Sequence, residues 1–108
     1  MSGSGGSGGG YEAPTDNCEL LVINTQLSSP KEEVVDMIQI GDVLDVATQM
    51  MGATAVVVVL LNGQIAGGLA SPNVQWLREC MANGTQYNAT VTDKNDGQVR
   101  VRVEAVQL

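Results

Sequence analysis

The chain contains no histidine and no phenylalanine, one tryptophan (Trp76), two tyrosines (Tyr11 and Tyr87) and two cysteines, and only 5 of its 108 residues are Lys or Arg. Each scarcity removes a class of chemistry. Without an imidazole there is no Ser-His or Cys-His pair, the usual general base is missing, and most zinc sites lose their ligands. Cys18 and Cys80 have no base to turn a thiol into a nucleophile. The chain is therefore expected to be no enzyme, with no catalytic residue, no metal and no cofactor. Five cations against 12 carboxylates leave a net charge of −7. Such a chain repels phosphate backbones over long range and has few cations with which to displace condensed counterions, so nucleic acid is not the expected partner. One tryptophan without aromatic neighbours is also a poor platform for stacking bases.

Long apolar runs are missing too. Nothing approaches the ~20 residues of a spanning helix, so no membrane contact is expected. Residues 1–10 have neither the basic region nor the apolar stretch of a secretory leader, which leads to a cytoplasmic expectation. Two cysteines are too few for a disulfide framework. The expected state is two reduced, buried thiols; one disulfide in an oxidising compartment is the alternative. The glycosylation patterns Asn83-Gly84-Thr85 and Asn88-Ala89-Thr90 carry no meaning in a chain that is not secreted.

What is present is aliphatic. Hydrophobic residues make up 44% of the chain. With so few aromatics, Val, Leu, Ile, Ala and Met must fill the core, and the β-branched residues among them favour strands. Residues 1–17, Gly/Ser-rich at the start, read as an unstructured tail and lead-in, and residues 18–108 as one β-barrel-like domain. The tail formally contains G-x-G-x-x-G, but no strand precedes it and no helix follows, so it is not a dinucleotide motif.

Periodicity orders the rest. Residues 19–27 read as a strand with Leu21, Ile23 and Leu27 on one face. Ser29, Pro30 and Glu32 form a helix-start signature for residues 31–38, with Val34, Val35 and Ile38 inward and Gly41 ending the helix. A strand over 42–48 leads to a loop at 49–54. Residues 55–61 are continuously aliphatic and read as a strand covered on both faces. Asn62-Gly63 is a two-residue hairpin signal into residues 64–69, where Gly67-Gly68 suggests a bulge or a close backbone approach. Ser71-Pro72 opens a helix over 72–82 with Val74, Leu77 and Met81 inward. Residues 85–92 and 98–106 are strands joined by Lys94-Asn95-Asp96-Gly97. In the last strand Val99, Val101, Val103 and Ala105 face in, while Gln98, Arg100, Arg102 and Glu104 face out. The fold class is therefore mainly β (α+β): a small, six-stranded, mostly antiparallel bent sheet or barrel with two short helices, in the order β-α-β-β-β-α-β-β.

The candidate contacts follow from this layout. Asp42 with Asp45, and Asp93 with Asp96, are too few oxygens for a hard cation; Asp42, Asp93 and Asp96 read as turn residues. Arg100 and Arg102 share an outward strand face and are the candidate anion contacts. Trp76, off the apolar stripe of the second helix, is a candidate anchor for a protein partner. In the 55–61 run, Val56, Val58 and Leu60 are assigned to the core, which turns Val57, Val59 and Leu61 outward as a candidate apolar contact. A homo-oligomer would bury such a patch. The expected function is a non-catalytic binding module, an accessory or adaptor protein acting through protein–protein contacts.

Gly41-Asp42-Val43-Leu44-Asp45-Val46 leads into the aliphatic strand; then come Asn62-Gly63-Gln64-Ile65-Ala66-Gly67-Gly68-Leu69, a Ser-Pro-capped helix, Asn83-Gly84, and Tyr87, Ala89 and Val91 at period two. Over residues 41–106 this pattern resembles the HIRAN domain, a small β-barrel found alone in bacteria or fused to helicases. The resemblance implies a barrel, and as an alternative function it implies binding of single-stranded DNA ends. That family's site uses a loop similar to N-P-x-D together with aromatics. The matching stretch, Gln49-Met50-Met51-Gly52-Ala53-Thr54, has no Asn, Pro, Asp or aromatic, so no binding residue carries over.

Overall fold

In the computed structural model, residues 14–106 are described. A 3-10 helix over Pro14–Leu20 is followed by β1 (Val22–Gln26), α1 (Glu32–Val35), β2 (Val43–Met51), β3 (Thr54–Leu61), β4 (Gln64–Leu69), α2 (Val74–Ala82), β5 (Tyr87–Asn95) and β6 (Gln98–Ala105). The six strands form one antiparallel sheet in the order β1-β6-β5-β2-β3-β4. This is the mainly β fold expected from periodicity. The ladder does not close into a barrel. Its two edges touch through a single bridge, where the amides of Ser28 and Gly68 each donate to the other's carbonyl at 2.8 and 2.9 Å.

That bridge explains why α1 is shorter than its sequence signature. Ser28 and Lys31 give their amides to Gly68 and Ala66 of β4, with Ser29 between them at a φ of 48°, so the chain is held at the sheet edge and cannot turn helical before Lys31. Lys31, not Ser29, is the N-cap, and the helix spans Glu32–Val35 before loosening into turns that still bury Ile38. The expected close approach at Gly67 is real. A Cβ there would meet the Leu27 Cβ and the Ser28 carbonyl at 3.1 Å each. Across from it the β3–β4 register slips between Val59 and Leu60, leaving Ala66 as the extra, bulged residue.

Residues 49–54 are not a loop. β2 and β3 run to Met51 and Thr54, joined by Gly52-Ala53 alone. Gly52 takes a φ of +67°, the conformation that a two-residue turn asks of glycine at its first central position. Gly52 reads locally as part of a loop, whereas in the fold only Gly52-Ala53 leave the ladder and Gln49, Met50 and Met51 pair with Val56, Ala55 and Thr54.

The cysteines correct another expectation. Cys18 and Cys80 are joined in a disulfide, not held as reduced thiols. The bond ties the 3-10 helix to α2, both residues being buried. Pro14 to Asn17 thus belong to a helical turn anchored on the domain, although they were assigned to the lead-in; the Gly/Ser stretch at 1–10 lies outside the described residues. Tyr87 adds a second tie. Its hydroxyl donates to the Cys18 carbonyl at 2.6 Å in a buried setting, and burial raises its pKa above the ordinary value of 10.0.

Tyr87→Phe is expected to cost about 1–3 kcal/mol, because the Cys18 carbonyl is left buried without its donor. The wild type should also lose stability in alkali. A raised folded-state pKa means the contribution is complete below the unfolded value of about 10 and disappears as pH climbs through the folded one. Urea unfolding of both proteins at pH 7 and above pH 10 checks this: the gap between them should narrow as pH rises.

Candidate protein-binding surface

The core is made by the even face of β2, the odd face of β3 and the alternating residues of β1, β5 and β6, closed below by Leu77 of α2. Val57 and Val59, expected to point outward, are 1% and 0% exposed, and Leu61 packs half-buried against the same core. They are therefore not partner contacts in this fold. On the opposite face lie Val56 and Leu60, both half-buried, and Val58, which is buried as expected at 7% exposure but stands outside the main core cluster. The cause lies in the register. Val57 and Val59 stand opposite Leu69 and Gly67 on β4, both buried, and Val59 stands opposite Val46 on β2, which packs on the core. A strand apolar on both faces offers no alternation from which the inward phase can be read, and a slip of one residue exchanges the two faces.

The outward face so created is the main apolar concavity among the described residues. It has a volume of about 410 Å³ and is floored by Val56, Val58, Ile65 and the side-chain-free Gly68. Met51, itself 61% exposed, and Gln49 rim it on the β2 side, Ser28 and Lys31 on the other. Neither helix covers it: α2 packs on the 3-10 helix and α1 on β4 through its own buried face.

Trp76 is half-buried against the core edge. Its indole Nε1 is buried with no hydrogen-bond partner. With Leu20, Val22 and Asn73 it lines a shallow depression of about 380 Å³, in which Leu20 is 77% exposed. Arg100 and Arg102 do share the outward face of β6. Arg100 stands between Gln26 and Asp93, and Arg102 between Asn24 and Thr90. Arg102 pairs with Glu104 at 3.3 Å, both side chains exposed, so acids interleave the two arginines and no convergent basic patch forms. Of the acids, Asp42 accepts the Gln39 amide in a turn and Asp96 sits in the β5–β6 turn with a φ of 54°, whereas Asp45 and Asp93, the latter read as a turn residue, lie within β2 and β5, Asp93 at a register shift where it accepts the Lys94 amide.

A second surface was not foreseen. β2 pairs with β3 over residues 45–51, but with β5 only over residues 43–45. From Val46 to Met51 its other edge has no strand beside it and no hydrogen-bond partner among the described residues. Beyond Asn88 the chain of β5 turns away, held by the Val106 amide on the Gln86 carbonyl and the Thr85 amide on the Cys80 carbonyl. The fork is a wedge. Its two adjoining depressions, of about 380 and 470 Å³, share Thr48 and Met81. Arg78 crosses one end, donating to the Ala55 carbonyl at 2.7 Å. Only the length of the 43–51 strand against the shorter β2–β5 pairing reveals this edge, and pairing is not a local property of sequence.

Compared with known proteins, the chain matches no family model, no curated protein and no solved structure.

Proposed function

We propose that the chain is a non-catalytic binding module, an accessory or adaptor protein that acts through protein–protein contacts. The observation that carries this reading is the apolar concavity lined by the half-buried Val56 and Ile65 and the exposed Met51, with Val58 buried at its floor, since apolar surface gathered in one place marks contact sites. In the absence of another partner, a second copy buries it. Sedimentation between 5 and about 100 μM should show a reversible dimer of micromolar affinity, lost in Ile65→Lys while the fold persists. A single monomeric species over that range removes this face as the contact.

The runner-up, a HIRAN-type binder of single-stranded DNA ends, draws on the outward arginines of β6. The net charge of −7 and the Arg102–Glu104 pair oppose it. Binding of a 3′-ended single-stranded oligonucleotide is expected to be weaker than about 10 μM at physiological salt. A submicromolar, salt-sensitive complex would put the DNA reading in place of the adaptor reading. For the compartment we propose an oxidising environment instead of the cytoplasm expected from sequence, because structural disulfides persist there and are reduced in the cytosol. No helix among the described residues is long and apolar enough to cross a membrane.

A further inference from the structure

We propose that the wedge between the free edge of β2 and α2 accepts one extended peptide segment of a partner protein as an added strand, a segment of alternating apolar residues with lysine or arginine among the others. This rests on the protein-contact reading above and names a mode and a chemistry for it.

An exposed strand edge is a row of unpaired amides and carbonyls, a template for another strand unless something blunts it. Over residues 46–51 nothing does. The segment Val46-Ala47-Thr48-Gln49-Met50-Met51 has no charge and no proline, and the β2–β3 register along it has no bulge. Thr48, Gln49, Met50 and Met51 are exposed. Six residues at ~3.3 Å each offer ~20 Å of backbone, enough for a stable added strand.

The walls decide the occupant. One side of the wedge is β2 and the other is the segment Gly84 to Asn88 with Met81 of α2. A slot walled on both sides takes a single strand, whereas a second folded copy would bring its whole sheet. The charges decide the composition. The charged residues lining the wedge are the carboxylates Asp45 and Glu79 and the cation Arg78, whose guanidinium is held on the Ala55 carbonyl at one end, so carboxylates outnumber cations two to one. The slot is thus acidic within an acidic chain, and it favours basic over acidic segments. Val46 and Met81 supply the apolar lining for every second side chain.

The test uses the full chain and a displayed library of random octapeptides. The expected result is enrichment of alternating sequences richer in Lys and Arg than in Asp and Glu. Synthetic versions of the winners should lose at least about tenfold in affinity when alternate amides on one edge are N-methylated, and lose little when the intervening amides are. Amide exchange in the protein should slow at residues 46–51. Thr48→Lys, which plants an exposed charge on the edge, should abolish binding without changing the unfolding midpoint, and Ile65→Lys should leave it intact. Absence of enrichment, or winners indifferent to both N-methylation and Thr48→Lys, overturns the proposal. Winners lost in Ile65→Lys but not in Thr48→Lys also overturn it, and they leave the protein-contact reading standing on the other face.

Discussion

Val59→Asp should leave the protein unfolded at room temperature, whereas Val56→Asp, three residues away on the same strand, should cost only about 1 kcal/mol. Val59 is 0% exposed and stands among Leu44, Leu77 and Val103 in one cluster. A carboxylate there has no cation to meet, since the cluster contains no Lys or Arg. Burying an unpaired charge, or holding it neutral at the expense of its pKa, costs several kcal/mol, which is a large part of the 5–15 kcal/mol roughly typical of a domain. Val56 faces the outer groove beside Gln49 and is only half-buried. Its replacement loses some strand preference and apolar contact while the carboxylate stays wet. Circular dichroism and urea melts of the two variants decide which face of β3 is inside. Equal damage from both, or the reverse order, would invalidate the assignment of the groove and with it the contact surface proposed from it.

Removing the disulfide is the second large effect. Cys18 and Cys80 lie 62 residues apart in sequence, and closing a loop of that size stabilises a fold by about 4 kcal/mol through the entropy withheld from the unfolded chain. Cys18→Ala with Cys80→Ala, or treatment with a reductant, should therefore lower the urea midpoint by a large fraction. The 3-10 helix should detach first. Besides the bond, Tyr87 ties this helix to the sheet through the Cys18 carbonyl. Amide exchange should accelerate from Asn17 to Leu20 in the reduced protein before it does in β5 and β6. A thiol count on unfolded, unreduced protein from its native source gives the complementary reading. Zero thiols agree with the oxidising compartment proposed here; two would restore the cytoplasmic one and make the bond irrelevant in the cell.

Much of the architecture was legible in the chain because its signals are local. Alternation in β6 is strict, and Val99, Val101, Val103 and Ala105 are buried as the pattern requires. Asn62-Gly63 forms its two-residue turn with φ of 51° and 84°, and the helix of residues 74–82 buries Leu77 on the expected stripe. These features depend on side-chain period and on the backbone preferences of Gly and Asn, both properties of a short segment. The placement of Arg100 and Arg102 on one outward face of β6 was legible in the same way, from alternation alone.

Three features were decided only by the folded chain. The inward phase of β3 was set by its neighbours, because Val56 to Leu61 are apolar at every position and only pairing with β2 and β4 distinguishes odd from even. The state of the cysteines was set by distance: 62 residues of chain bring their Cα atoms to 5.6 Å, a proximity that no local pattern encodes. The free edge of β2 exists because β5 parts from it after Asp45 and is drawn toward β6 and α2. Alternation and turn chemistry determined where strands lie; long-range register determined which valines are core, which thiols meet and which edge is left without a partner.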